Sequence, residues 1–166
     1  MENTEKKPGV GVGVMILKNN NVLLGKRHKD PQKADSELHG ENTWTMPGGK
    51  LHFQEELEEA AAREVLEETG VKINKDKLKL ISVNNDKIKD AHFVTIGFLC
   101  EEFKEEPRVM EPDEIIGWKW FNLNNLPERI FFPSEKILNN FINQNLTPKT
   151  LGQFVLPPGK HKPQKK

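Results

Sequence analysis

The sequence predicts an α+β fold in which helices cover a mixed β-sheet, and three observations carry that expectation. Alternating or continuous apolar runs of strand length recur along the chain. Two segments, residues 54–69 and 134–143, place apolar residues at helical spacing instead. Clusters of glycine, proline and asparagine separate many of these segments.

Taken in order, residues 1–8 are charged and predicted disordered. Val10, Val12, Val14 and Ile16 then alternate with Gly11, Gly13 and Met15, the period of a strand. The glycines leave one face of that strand short of side chains, so backbone can approach a ligand there. Asn19-Asn20-Asn21 signals a turn, and Val22-Leu23-Leu24 opens a second strand. Residues 28–42 are polar, contain Pro31 and Gly40, and read as a long loop of the kind that often carries function. Residues 43–46 form a short strand that Pro47-Gly48-Gly49 breaks. In the helix over 54–69, Leu57, Ala61 and Val65 recur every four residues. Glu55, Glu56, Glu58 and Glu59 crowd its first turns, where negative charge suits the helix dipole, and Gly70 stops it. Strands are expected at 78–83, 93–100 and 118–121. A last helix over 134–143 turns Ile137, Leu138, Phe141 and Ile142 inward. Residues 157–166 are rich in proline and lysine and read as a disordered tail.

The 166 residues suit one domain with a sizeable core. Lys plus Arg and Asp plus Glu both number 25, so net charge gives no reason to expect a nucleic-acid or membrane partner. The one cysteine, Cys100, allows no disulfide within the chain, which suits a reducing compartment. It sits in the apolar run 94–100, so a buried, inert thiol is expected. Residues 1–7 lack the apolar core of a secretory signal, and no apolar run nears the roughly 20 residues of a membrane span. The expected location is the cytoplasm.

The chemistry concentrates in residues 49–71. On a helix Glu64, Glu67 and Glu68 stand at i, i+3 and i+4 and share a face. Carboxylates about 4 Å apart repel by about 1 kcal/mol per pair even in a water-like dielectric. A divalent cation with oxygen ligands would offset that repulsion. Acidic runs on helices are more often solvated faces, which is the expectation for Glu56, Glu58 and Glu59. Glu68 differs, because a helical wheel sets it beside the stripe of Leu57, Ala61 and Val65. A carboxylate at the edge of a core needs a partner, and Arg63 or a metal is in reach. Spacing alone leaves both open.

The same stretch resembles a complete Nudix box. Its pattern is Gly, five residues, Glu, seven residues, Arg-Glu, an aliphatic, any residue, Glu-Glu, any residue, Gly and an aliphatic. Gly49, Glu55, Arg63, Glu64, Val65, Glu67, Glu68, Gly70 and Val71 meet every fixed position. A looser likeness covers residues 9 to about 144 and points to the MutT-like nucleoside-triphosphate pyrophosphatase branch. Segments 9–17, 24–27, 39–44, 92–96 and 111–121 carry it.

The resemblance implies an α/β/α sandwich over residues 9–146 whose box helix carries a metal site, followed by an extension over 147–166. It implies Mg²⁺, replaceable by Mn²⁺, bound by Glu64, Glu67, Glu68 and the Gly49 carbonyl. Glu64 would also be the general base, with Arg63, Glu67 and Glu68 completing the catalytic set and Arg63 pairing with Glu55. Glu114 would supply a further ligand, with Glu111 and Asp113 as rivals. Gly11, Gly13, Arg27, His39 and Thr95 would contact substrate, while Trp44 reads better as core. The implied partner is a small nucleotide, and the implied state a monomer or homodimer. About 16 residues beyond the box, where ADP-ribose hydrolases of the family often carry proline, Lys87 stands between Asp86 and Ile88. The chain has no tyrosine, a mark of the dinucleoside polyphosphate branch, and no Pro-Phe-Pro run. These absences favour cleavage of a nucleoside triphosphate, modified or not, to monophosphate and pyrophosphate. The alternatives are a pyrophosphatase for ADP-ribose or another nucleoside-diphosphate-linked compound, and a non-hydrolysing sensor, whose kind commonly loses box glutamates.

Overall fold

The first apolar segment forms β1 (Gly9–Lys18) in the computed structural model, which describes residues 6–34 and 36–146. The expectations for residues 147–166 lie outside the described residues, as do those for residues 1–5. Asn19 and Asn20 take φ of 50° and 61°, the left-handed pair that a tight hairpin needs. The chain thus returns as β2 (Asn21–Arg27), with Leu17 opposite Val22 and Lys18 opposite Asn21.

Beyond that hairpin β1 runs parallel to β6 (His92–Cys100), from Gly9 opposite Phe93 to Ile16 opposite Cys100. The antiparallel strand β5 (Lys79–Lys87) lies outside β6. On the other edge of β1, Gly11 to Gly13 pair antiparallel with β4 (Gly48–Lys50). β2 pairs with β3 (Trp44–Thr45) on one side and β7 (Ile115–Asn122) on the other. The result is a mixed sheet of seven strands. The helix α1 (Leu57–Thr69) buries Ala60, Ala61 and Val65 against Val12, Val14, Ile96 and Phe98 on one face. The helix α2 (Phe132–Leu146) buries Ile137 and Leu138 against Met15, Leu24 and Leu99 on the other. A sheet between two helical layers follows from this alternation of apolar residues along β1.

Several boundaries differ from the sequence reading. α1 starts at Leu57 and not at 54, because Gln54 is left-handed at φ 64° and Glu56 is an extended N-cap. Gly70, at φ 72°, ends it and donates its N–H to the Leu66 carbonyl. Pro47-Gly48-Gly49 does not simply break the sheet, since Gly48 and Gly49 open β4. A Cβ on Gly48 would run into the Val12 carbonyl, so only glycine lets β4 lie this close to β1. β5 and β7 extend past the apolar cores that marked them, because pairing partners continue where apolar residues stop. α2 begins two residues earlier than expected and reaches Leu146. No described helix is long and apolar enough to cross a membrane.

Candidate active site

One side chain ties β4 to the loop and helix that follow it. Arg63 donates through Nε to Glu55 Oε1 at 2.8 Å and through Nη2 to Glu55 Oε2 at 3.1 Å and the Lys50 carbonyl at 3.0 Å. Its Nη1 reaches Glu64 Oε1 at 2.7 Å and Glu67 Oε2 at 3.0 Å. The planar fork of arginine suits such multiple contacts. The guanidinium, helped by the His52 backbone N–H, lowers the pKa of Glu55 to about 2. In turn Glu55, and then Glu64 and Glu67, hold Arg63 more firmly in its charged form. The Glu64 carboxylate lies against the Cα of Gly49, and its Cδ would be 2.5 Å from any Cβ built there. Burial raises the Glu64 pKa, and Arg63 partly opposes the rise.

Glu68 is held differently. It is 7% exposed, and its Oε2 accepts the Gly48 N–H at 3.1 Å. The Arg63 contacts stop short of it, going to Glu55, Glu64, Glu67 and the Lys50 carbonyl. Carboxylate oxygens of Glu68, Glu111 and Glu114 lie within 4.8 Å of one another. The end of α1 brings them together. The Thr69 carbonyl accepts the Arg108 N–H at 2.9 Å, and the Glu68 carbonyl accepts the Met110 N–H and the Trp118 indole, both at 3.3 Å. Those bonds satisfy exposed helix carbonyls and fix the segment that carries Glu111. The Glu114 carbonyl accepts the His28 N–H at 2.7 Å, fixing the other acid. Burial first, and then the charge of Glu64, push the Glu68 pKa well above its ordinary value of 4.5.

This donor set fits a small divalent cation. Oxygen ligands stand about 2.1 Å from Mg²⁺, so opposite ligands are about 4.2 Å apart. Oxygens already within 4.8 Å need only small rotations to converge on such an ion. Glu68, Glu111 and Glu114 are the residues that would hold it.

The carboxylates open into a cavity of about 540 Å³ walled by both helices, with Glu64 and Glu68 from α1 and Ser134 and Ile137 from α2. Gly11, Gly13, Arg27, Thr95 and Gly49 also line it. A Cβ on Gly13 would stand 2.7 Å from Ile137 Cδ1, so that glycine admits α2 as well as leaving space. Arg27 is 8% exposed, donates from Nη2 to the Ala34 carbonyl at 2.8 Å, and lies 5.1 Å from the Phe131 ring centroid. Three site residues named from sequence, His39, Arg63 and Glu67, are not on this wall. His39 is exposed on a turn at φ 59°, and Glu67 faces outward with Arg63. Glu111 and Glu114 both arrive at the cluster, whereas Asp113 is exposed beside Lys33 at 3.7 Å. Phe93, Phe131 and Ser134 line the cavity without having been singled out from sequence. Phe131 carried no periodic signal, and Phe93 looked like any strand residue. Trp44 packs edge-on to Phe121 at 4.7 Å in the core on the α2 side. Cys100 is 3% exposed, and burial raises its thiol pKa.

Comparison with known proteins agrees with this geometry. The NUDIX domain family model matches residues 7–141. An ADP-ribose pyrophosphatase of Methanocaldococcus jannaschii is 31% identical over 135 residues, covering 81% of this chain and 73% of that protein. An 8-oxo-dGTP diphosphatase of Proteus vulgaris is 36% identical over 102 residues, covering 61% of this chain and 83% of that one. The crystal structure of a MutT NUDIX hydrolase from Burkholderia pseudomallei shares the fold at a TM-score of 0.72 and 31% identity, over 81% of this chain and 98% of that one. The chain belongs to the Nudix family. Within it the protein is a MutT-like hydrolase, of the class that acts on nucleotide pyrophosphates and uses divalent metals.

Proposed function

We propose that the protein hydrolyses a nucleoside triphosphate to a nucleoside monophosphate and pyrophosphate, using Mg²⁺ with Mn²⁺ as a substitute. The observation that carries this reading is a single cavity joining four carboxylates, Glu64, Glu68, Glu111 and Glu114, to an apolar and glycine-walled region beside Phe93, Phe131 and Ile137. Phosphates fit the first part once a cation is present, and a base fits the second. A cation held by Glu68, Glu111 and Glu114 would neutralise diphosphate charge and make water more acidic.

The protein's own residues do the rest. Water attacks a phosphorus of the α–β linkage, the bridging P–O bond breaks, and the group on the far side of that bond leaves, pyrophosphate after attack at the α-phosphorus and the monophosphate after attack at the β-phosphorus. Glu64 is assigned as the acceptor of the water proton, since burial raises its pKa toward the useful range while Arg63 Nη1 fixes one of its oxygens at 2.7 Å. Arg63 positions Glu64 and keeps Glu67 beside it. Lys50 and Arg27, both on the cavity wall, offer positive charge to the phosphate chain. Gly11, Gly13 and Thr95 shape the nucleoside end.

Similarity to an ADP-ribose pyrophosphatase over 81% of the chain supports a second reading, cleavage of ADP-ribose at the same cluster. A panel of triphosphates and ADP-ribose, hydrolysed in ¹⁸O water with products read by mass spectrometry, tests both. Pyrophosphate as the first product, with one ¹⁸O in either product, is expected. Orthophosphate as the first product refutes the assignment. Turnover of ADP-ribose and of no triphosphate selects the second reading.

A further inference from the structure

We infer that a second groove, continuous with the catalytic cavity, holds a second nucleotide unit of the substrate, an inference that rests on the cavity taking the first. The groove measures about 520 Å³, close to the 540 Å³ of the cavity, and Glu37, Lys50 and Phe93 belong to the walls of both. The groove therefore adds a space of similar size beside the cavity.

The groove has the chemistry of a nucleotide site. Val10, Leu51, Ile88, Ala91 and Phe93 give it an apolar lining for a base or ribose. Lys6, Lys7, Lys50, Lys89 and His92 stand against Glu37 and Asp90. Glu37 is already engaged by Lys50 Nζ at 2.6 Å. No ion pair among the described residues engages Lys6, Lys7 or Lys89. The groove is thus cationic in a chain whose net charge is zero. Cations above an apolar lining suit one phosphate and its nucleoside.

The boundary between the two spaces is easily crossed. Lys50 lies 5.8 Å from the Phe93 ring centroid, and its bond to Glu37 spans the join. Both partners are more than half exposed, at 62% and 58%. An ion pair this exposed is weak, so a phosphate can take Lys50 from Glu37.

The second unit can be attached in two ways, through a 3′-phosphodiester or through the polyphosphate chain. Equilibrium binding to the full chain carrying Glu64→Gln, with Mg²⁺ present so that the cavity can take phosphate while hydrolysis is slowed, separates them. The probes are a nucleoside 5′-monophosphate, its 3′-extended 5′-phosphorylated dinucleotide, and the dinucleoside tetraphosphate of the same base. At least one dinucleotide should bind tenfold or more tightly than the mononucleotide, and which one gains identifies the attachment. The double variant Lys7→Glu, Lys89→Glu should erase the gain and leave mononucleotide binding within twofold. Lys77→Glu, a charge reversal on an exposed 3-10 turn away from the groove, should leave the gain intact. Equal binding of all three probes, or a gain that survives the double variant, overturns the inference. Failure to hydrolyse any triphosphate would refute the proposed reaction and leave this binding result standing.

Discussion

Replacing Glu68 with glutamine should make the metal-free protein more stable and the metal-loaded protein relatively less so. Glu68 is 7% exposed and shares its surroundings with Glu64, Glu111 and Glu114. Two full charges at the 4.8 Å limit of the cluster repel by about 3–4 kcal/mol at an effective dielectric near 20. Proton uptake and water access reduce this, leaving about 1–2 kcal/mol to be gained in Glu68→Gln. That corresponds to a rise of about 2–8 °C in Tm for a domain of this size. The amide keeps an oxygen for the Gly48 N–H, so the bond at 3.1 Å survives. The sign can be checked by pH. The folded pKa of Glu68 lies above its ordinary 4.5, so its contribution is present below that value and is lost as pH rises through the folded pKa. In chelator the wild type should therefore lose stability as pH climbs above about 4.5, and Glu68→Gln should lack that component. Excess Mg²⁺ at about 100 times its Kd should stabilise the wild type by about 2.7 kcal/mol and the variant far less. Activity should fall by roughly a hundredfold or more, since a bound metal contributes several kcal/mol to catalysis. Thermal melts of both proteins in chelator and in Mg²⁺ decide the matter. A variant that melts below wild type in chelator, or keeps the full Mg²⁺ shift, would refute the reasoning.

Three other perturbations test the frame around that cluster. Glu55, with its pKa lowered to about 2, contributes stability above pH 4.5 that is lost as pH falls from 4.5 toward 2. After solvent screening this is about 1–2 kcal/mol, and urea unfolding across that range should show the loss in wild type but not in Glu55→Gln. Gly48→Ala should cost about 1–3 kcal/mol because its Cβ meets backbone, while in Gly49→Ala the nearest atoms are those of the Glu64 carboxylate, the end of a side chain. Melts should show the first variant destabilised, and kinetics should show the second folded but roughly a hundredfold slower, the scale of a displaced general base. Deleting residues 157–166 should leave Tm and kcat/KM nearly unchanged, since that segment has little apolar surface to order it; a clear loss of substrate affinity would make the tail a working part.

Local physics made much of the fold legible. The alternation in β1 separates Val12, Val14 and Ile16 from Met15, and those two sets became the two cores. The Asn19-Asn20 turn and the Gly70 stop were readable because left-handed backbone favours these residues. β4 was not, since two of its residues are glycines with no side-chain pattern, and its place depends on close approach to β1. At the site, the glutamates of α1 share a face by spacing alone, but what each one touches does not follow from spacing. The sequence left Arg63 and a metal open as partners of Glu68; the structure gives it the Gly48 N–H and turns Arg63 elsewhere. Arg63 points back toward Glu55 and the Lys50 carbonyl, so it reaches Glu64 and Glu67 only. Glu111 and Glu114 come from about 45 residues downstream, positioned where the Glu68 and Thr69 carbonyls accept N–H groups of that segment and the Glu114 carbonyl accepts the His28 N–H.

Arg63 therefore divides the acids into those it contacts and those it does not. Glu55, Glu64 and Glu67 share one guanidinium, which holds Glu55 ionised and orients Glu64. Glu68, Glu111 and Glu114 receive none of the Arg63 contacts, and burial together with mutual repulsion leaves Glu68 inclined to hold a proton. Leaving that repulsion in place would cost metal-free stability and favour binding of a divalent ion. The same charge faces a cavity whose lining also includes Arg27 and Lys50, so the acids can accept a cation while positive side chains remain available to a phosphate chain. On this account the Glu68 substitution is the informative one, since it removes the repulsion and the cation affinity together, whereas any change at Arg63 disturbs the first group and reaches the second only through Glu64.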